Sequence, residues 1–170
     1  MQPLRILHYP DPVLQKRSQA VSGFDDRLLD LAGRMIETMY QAPGAGLAAP
    51  QVGISLQLSV IHLPTGEKEK RNPLILFNPR IIEEKGRVSE EEGCLSIPDF
   101  TAKVSRSKYV KVEYLDVDSR VAVIEGEDYL ARVLQHEIDH LNGILFIDRL
   151  GRLKRDLVRK RLLKHIAPSG

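Results

Sequence analysis

Two histidines and a glutamate give this chain its clearest pattern for chemistry. His136, Glu137 and His140 form the sequence H-E-x-x-H. On a helix, residues four apart share one face, so both imidazoles can bind the same metal ion. Glu137 then lies close enough to act on a water molecule without being a ligand itself. The alternative interpretation is a charged helix face that merely contains two histidines.

A catalytic metal site usually has a third protein ligand and keeps one position open. Downstream of His140 there is neither an H-E-x-x-H-x-x-G-x-x-H extension nor any glutamate, which leaves Asp148, Asp156 and His165 as candidates. Cys94 is the stronger candidate, because thiolate binds Zn or Fe(II) well and this cysteine lies in an unusual E-G-C-L-S segment. It is the only cysteine, so an intrachain disulfide is excluded, and a lone cysteine can also be a small buried hydrophobic residue.

A third segment, residues 44–51, reads G-A-G-L-A-A-P-Q. Taken alone it is weak evidence, since small residues often indicate tight packing or a turn. It is not a G-x-G-x-x-G phosphate loop, because Ala49 occupies the later position and no strand precedes it.

The elements around these segments predict an α+β domain. Helices are expected from Asp25-Asp26 to Pro43-Gly44, over about 128–141 with a stop at Asn142-Gly143, and over about 150–166. Strands are expected at 56–63, 74–77, 80–84, 109–115 and 121–124, separated by turns at Pro64-Thr65-Gly66, Lys85-Gly86 and Asp116-Val117-Asp118.

The second helix divides into two stripes when its residues are placed at helical spacing. One is apolar and suited to a core, and it contains Leu130, Leu134, Ile138 and Leu141. The other is where chemistry is expected, and it contains Tyr129, Arg132, Val133, His136, Glu137 and His140.

Composition and charge limit the function classes. A chain of 170 residues with 42% hydrophobic and 28% charged content is typical of one globular domain. There is no apolar run of membrane-spanning length and no secretory signal, so a cytoplasmic location is expected, without a membrane partner. Nine aromatic residues and no Trp argue against stacking on bases as the main function, and DNA is not an expected partner.

The three motifs together resemble those of a known family. G-x-G-L-A-A-x-Q, E-G-C-L-S and Q-H-E-x-D-H, in this order, are similar to the signature motifs of peptide deformylases. The similarity continues into 142–143 and 146–148 beyond the helix and into 8–12 near the start, so it covers nearly the whole chain.

This resemblance implies a role for each matching position. Cys94, His136 and His140 are the implied metal ligands and Glu137 the general acid/base. The Gln51 amide and the Leu95 backbone N–H are the implied oxyanion donors, and Gly46 the residue that pairs with substrate. The implied fold is a set of mostly antiparallel sheets wrapped around the central metal-binding helix. The implied ion is one divalent metal, Fe(II) physiologically in many members, with Zn, Ni or Co also able to bind.

The implied reaction is hydrolysis of the formyl group from formyl-methionyl nascent peptides, with release of formate. The metal lowers the pKa of water, Glu137 takes the proton, and the attack on the formyl carbon follows. The peptide is expected to lie extended near Gly46, with its methionine in an apolar pocket beside Val133. A further hypothesis is that Glu90 and Arg132 pair across the pocket rim and that the Arg132 stem covers the methionine.

Two other functions remain open at this point. A zinc endopeptidase could use the same helix, although the missing downstream ligand and the E-G-C-L-S segment argue against it. A structural metal module is a second alternative, but a closed structural site needs neither the base Glu137 nor the donor Gln51.

The charge is distributed unevenly along the chain. Residues 1–148, expected to form the catalytic part, carry 17 basic and 22 acidic side chains, whereas residues 149–170 carry 8 basic and 1 acidic. We expect this tail to be an amphipathic helix of the same domain, with Leu150, Leu153 and Leu157 as its apolar stripe. It is either a solvated helix that closes the fold or, as the resemblance implies, a segment that docks on ribosomal RNA.

Overall fold

Three α-helices and seven β-strands make up the described part of the chain, residues 2–63 and 71–166, in this computed structural model. The helices are α1 (Asp26–Gln41), α2 (Asp128–Leu141) and α3 (Arg152–Ile166). The strands are β1 (Gly46–Ala48), β2 (Leu58–Ile61), β3 (Leu74–Lys85), β4 (Val88–Cys94), β5 (Ile97–Arg106), β6 (Tyr109–Leu115) and β7 (Val121–Glu127). Short 3-10 turns lie at Pro12–Gln15, Ala49–Val52 and Phe146–Arg149.

The strands form two antiparallel sheets. Five of them pair in the order β1-β2-β3-β6-β7, and β4 and β5 form a separate hairpin. Helices and antiparallel strands are segregated along the chain rather than alternating, which confirms the predicted α+β class.

Helix α2 is enclosed by the rest of the domain. From Ala131 to Leu141 every residue is buried, and the helix packs on β1, β2, β6 and β7. The predicted core stripe is in place, since Leu134, Ile138 and Leu141 are all buried. The polar stripe is buried as well from Arg132 onward, whereas Tyr129 is 58% exposed. The buried charged groups must therefore find partners inside the protein.

The start of α1 and the end of α2 are determined by local contacts. The Asp25 carboxylate accepts a hydrogen bond from the Leu28 N–H at 2.9 Å and so caps α1. Gly143 follows α2 with φ +73°, and a Cβ there would lie 2.8 Å from backbone atoms of Gln15 and Lys16. Only glycine tolerates both the positive φ and this close backbone contact, which explains why α2 ends where the sequence predicted.

The strand predictions were right for the stretch from 109 to 124 and incomplete elsewhere. The expected strand at 109–115 is confirmed as β6, but 74–77 and 80–84 are parts of the single strand β3, which carries a bulge between Phe77 and Arg80. The hairpin β4–β5 and the short β1 were not predicted. The turn expected at Pro64-Thr65-Gly66 lies outside the described residues.

The contact face of α3 differs from the predicted one. Leu150 is buried but precedes the helix, whereas Leu153 is 82% exposed and Leu157 is 68% exposed. The inner face consists instead of Arg155, Val158, Arg159 and Leu162, which recur at helical spacing. An Arg159–Asp148 ion pair of 2.5 Å and the burial of Val158 beside Leu150 fix this orientation.

In the two described ranges, none of the helices combines the length and the apolar content that crossing a bilayer requires.

Candidate active site

Three potential metal-binding side chains meet where the β4–β5 hairpin contacts α2. The Cys94 Sγ lies 3.3 Å from the Nε2 atom of His140, which lies 3.0 Å from the Nε2 atom of His136. The ligand atoms of all three residues are within 4.8 Å of one another, and both histidines are buried. Donors bound tetrahedrally to one ion at about 2.0–2.3 Å would be roughly 3.3–3.8 Å apart, so the residues fit a metal ion.

Cys94 reaches this position through an irregularity at the end of β4. The pairing with β5 shifts register between Gly93 and Cys94, so that Cys94 faces Ile97 across a tight turn formed by Leu95 and Ser96. A bulge of this kind redirects a side chain at the end of a strand. Here it turns the thiol toward α2.

Glu137 lies next to the three ligand atoms and packs directly on β1. A Cβ at Gly46 would lie 2.6 Å from its Oε1 atom, so glycine is required for this contact. The carboxylate is buried, and its Oε2 atom has no hydrogen-bond partner among the described residues. Burial raises the pKa of Glu137 to about 7.

The amide of Gln51 is oriented by the backbone. Its Oε1 atom accepts a hydrogen bond from the Ala48 N–H at 2.9 Å. The NH₂ group must then point the other way, where it donates to the Ser96 Oγ at 3.1 Å and lies 3.6 Å from the Cys94 Sγ. Gln51 thus offers a buried donor on the open side of the site.

A buried carboxylate holds His136 from behind. The Glu92 Oε2 lies 2.7 Å from the His136 Nδ1. Burial by itself would raise the pKa of Glu92, but hydrogen bonds with Arg106 and His136 hold that pKa well below its usual range. A charged carboxylate on one ring nitrogen fixes the ring and leaves Nε2 for the metal.

This carboxylate belongs to a chain of alternating charges. Arg106 donates to both oxygens of Glu92, at 2.9 and 2.6 Å, and to Asp139 at 2.7 Å. Arg149 donates two further hydrogen bonds to Asp139, at 3.0 and 2.6 Å. The network extends from the half-exposed Arg149 to His136.

A cavity of about 500 Å³ opens beside the three ligand atoms. Its wall contains all the residues expected to bind metal or substrate except Glu90 and His140, together with Pro43, Gly44, Ile97, Phe100 and Tyr129. Leu95 and Val133 are among the lining residues. The cavity is large enough for a short peptide or a small ligand.

The expected pair of Glu90 and Arg132 was only partly right. Arg132 Nε is 3.8 Å from the Glu90 carboxylate, which is 56% exposed and does not line the cavity. The closer partner of Arg132 is Glu92, at 2.9 Å. Side chains two apart on a strand share a face, so Glu92 lies on the same side as Glu90 but nearer to the buried helix.

Sequence reasoning missed Glu92, Arg106 and Asp139 as supports of the site. Glu92 and Asp139 lie within the E-G-C-L-S and H-E-I-D-H segments, and their place inside these motifs could have suggested a role at the site. Arg106 lies at the end of the unpredicted strand β5, and nothing in the sequence connected it to the site.

Comparison with known proteins gives the family. A profile of the polypeptide deformylase family matches residues 3–156. The chain belongs to this family. Peptide deformylases of Desulfotalea psychrophila and Brucella suis are 48% and 50% identical over 165 residues, covering 97% and 96% of this chain and 98% and 93% of the relatives.

Solved deformylase structures have the same fold. The crystal structure of a peptide deformylase from Legionella pneumophila superposes with a TM-score of 0.88 at 44% identity, covering 97% of this chain and 96% of that one. A peptide deformylase from Synechococcus elongatus in complex with actinonin has a TM-score of 0.85 at 41% identity, covering 95% and 86%.

The family assignment settles the kind of reaction. Deformylases are metallohydrolases that remove the N-formyl group from nascent polypeptides, and this chain is such an enzyme.

Proposed function

We propose that this chain hydrolyses formyl-methionyl N-termini with Cys94, His136 and His140 as the metal ligands and Glu137 as the general acid/base. The observation that carries the proposal is the position of Glu137: a buried carboxylate with one uncommitted oxygen, next to three clustered ligand atoms, in the wall of an open cavity.

The donor set suits one divalent ion. One thiolate and two imidazoles match both Fe(II) and Zn, and we propose Fe(II) as the physiological ion with Zn, Ni or Co as possible substitutes. When bound, the ion supplies a Lewis acid that polarises the formyl carbonyl and lowers the pKa of water.

The residues of the chain perform the remaining steps. Glu137 accepts a proton from the attacking water as its oxygen bonds to the formyl carbon. The negative charge that develops on the formyl oxygen is stabilised by the Gln51 NH₂ and the Leu95 N–H. Glu137 then donates its proton to the departing nitrogen, the C–N bond breaks, and formate and a free amine are released.

The edge of β1 supports an extended binding mode for the peptide. The Ala45 carbonyl accepts from the His62 N–H at 2.9 Å, so the N–H and C=O of the next residue, Gly46, point away from β2. No described strand pairs with that edge. Gly46 can therefore pair with a substrate backbone, while Arg132 and Val133 line the cavity where the methionine side chain would lie.

The function is tested by measuring formate release and metal content on the same anaerobically purified sample. Formyl-Met peptides should be hydrolysed, whereas acetyl-Met peptides and internal peptide bonds should not. Cleavage of an internal peptide bond at a comparable rate would contradict the proposal and favour an endopeptidase.

The ligand assignment has its own test. Cys94→Ala should lose bound metal and activity together, because one of three protein ligands is removed. A Cys94→Ala variant that kept a full metal equivalent and near-normal formate release would contradict the assignment.

The basic tail supports a partner in addition to the peptide. We propose that residues 149–170 dock the catalytic part, residues 1–148, on ribosomal RNA, so that N-termini reach the cavity as they emerge. The same substrate supports the cytoplasm as the location, since nascent chains are made there. Arg149 stands at the junction and is bound to Asp139 of the catalytic part.

A further inference from the structure

A second cavity, of about 680 Å³, lies beside the active site and shares a wall with it. The segment 97–101 lines both cavities. The other walls of the second cavity come from the N-terminal residues His8 and Tyr9 and from Arg161, Leu162 and His165 of α3. No step of the proposed deformylation uses His8, Tyr9 or the three residues of α3.

Part of the wall is apolar and firmly packed. Tyr9, Ile97, Phe100 and Leu162 belong to or pack against one core cluster. The Tyr9 N–H donates to the Ser96 carbonyl at 2.8 Å, and Phe100 stacks on Phe146 with ring centroids 6.1 Å apart. The cavity therefore offers a fixed surface with two aromatic rings.

Another part of the wall carries nitrogen donors. Arg161 and the imidazoles of His8 and His165 are exposed around the cavity. Arg155 and Arg159 of the same helix have carboxylate partners, Asp156 and Asp148. Arg161 has none within 4 Å in the described ranges, although Asp99 lines the same cavity.

We propose that this cavity binds a nucleoside monophosphate, either as a free nucleotide or as an exposed nucleotide of single-stranded RNA. A guanidinium and two imidazoles provide several N–H donors for the three terminal oxygens of a phosphate. Aromatic rings provide a stacking surface that any base can use. The cavity volume is within the range of small-ligand sites.

The test is an NMR titration of the metal-loaded enzyme with AMP, adenosine and inorganic phosphate, read at the imidazole C2–H signals of its five histidines. His8→Gln and His165→Gln variants assign the two relevant signals. AMP should shift both signals saturably, at lower concentration than either adenosine or phosphate. If AMP shifts neither signal, or saturates no earlier than phosphate, the proposal is wrong.

A matched pair of variants locates the site. Arg161→Gln should weaken AMP binding at least about tenfold, the scale of one hydrogen bond to a charged group. Arg152→Gln removes the same charge from the same helix outside the cavity and should leave binding within about twofold. Equal weakening by both variants would mean non-specific attraction to a basic helix and would overturn the proposal.

Two further measurements distinguish the source of the ligand and separate this site from catalysis. Tighter binding of a six-nucleotide oligoadenylate than of AMP would support an RNA strand, and tighter binding of AMP would support the free nucleotide. Arg161→Gln should hydrolyse short formyl peptides at the wild-type rate. Loss of that activity would place Arg161 in the catalytic machinery and contradict a separate site.

Discussion

The surroundings of Glu137 suit its proposed role, which requires one carboxyl group both to accept and to return a proton. Burial raises its pKa to about 7, which is near neutral pH. A group with such a pKa can accept a proton in one step and return it in the next. An exposed glutamate would be too weak a base for the first of these steps.

Replacing this carboxyl group gives a direct prediction. Glu137→Gln should keep a full metal equivalent, because Glu137 is not a proposed ligand, and should lose about 10²–10⁴-fold in turnover. Metal analysis and formate release on one preparation check both parts. A variant with near-normal turnover would show that another group moves the proton.

Single residues of the site were predictable to the extent that they lie within contiguous motifs. The spacing of His136 and His140 on one helix face was enough to predict that their rings meet, and the structure places them together. The support of His136 by Glu92 and Arg106 could not be derived, because it depends on how a hairpin packs on α2. Such a contact has no local sequence signature.

At the level of elements, the contact between β1 and α2 sets the position of Glu137, the proposed base. Gly46→Ala would bring a Cβ to 2.6 Å from the Glu137 carboxylate oxygen, and the carboxylate would have to move. We expect roughly 10²-fold lower turnover with unchanged metal content, since small misplacements of catalytic groups cost about that much.

The control for this variant is Gly23→Ala, where a Cβ meets no atom within 4 Å. It should leave turnover and metal content unchanged. If Gly46→Ala were as active as this control, the close contact with Glu137 would not determine catalysis.

The hairpin β4–β5 shows why some elements escaped sequence analysis. β4 reads V-S-E-E-E-G-C, and glutamate and glycine are poor strand formers. Pairing with β5 stabilises the strand, and Arg106 and Arg132 neutralise its buried Glu92. Tertiary contacts therefore override the local preference. For α3, the leucines at 153 and 157 suggested the wrong face, because ion pairs as well as apolar contacts orient that helix.

On the scale of the whole molecule, the buried ion network joins α2, the hairpin and the start of the tail. Arg106→Met should lower the free energy of unfolding by about 3–5 kcal/mol, because it leaves buried carboxylates without their partner. Arg80→Met breaks a surface pair with Glu113, in which the arginine is 69% exposed, and should cost no more than about 1 kcal/mol. Urea denaturation of the metal-loaded proteins measures both.

Glu92 makes the stability difference between wild type and Arg106→Met depend on pH. Its pKa is lowered from 4.5 in the folded state, so its contribution to stability is present above that value and is lost as the pH falls below it. The gap between wild type and Arg106→Met should therefore narrow between about pH 5 and pH 3. A gap that stayed constant over this interval would mean that the Glu92 charge does not contribute to stability.

The tail can be tested without removing its structural contacts. Truncation would delete the buried Val158 and the Arg159–Asp148 pair, so reversing the charge of exposed cations is the cleaner change. A variant with Arg152, Lys154, Lys160 and Lys164 changed to Glu should lose ribosome co-sedimentation and keep hydrolysis of short formyl peptides. Undiminished co-sedimentation at low salt would leave α3 as a helix that only completes the fold.

The edge of β1 that pairs with no described strand also bears on the solubility of the protein. An unpaired strand edge can join the edge of another molecule and begin aggregation. Here the unpaired edge is only three residues long, ends at the 3-10 turn Ala49–Val52, and has its Ala48 N–H already bonded to Gln51. The part of the edge that stays unpaired is about as long as one dipeptide. This length is enough for the proposed pairing with an extended N-terminus, and it is too short to begin a sheet between molecules.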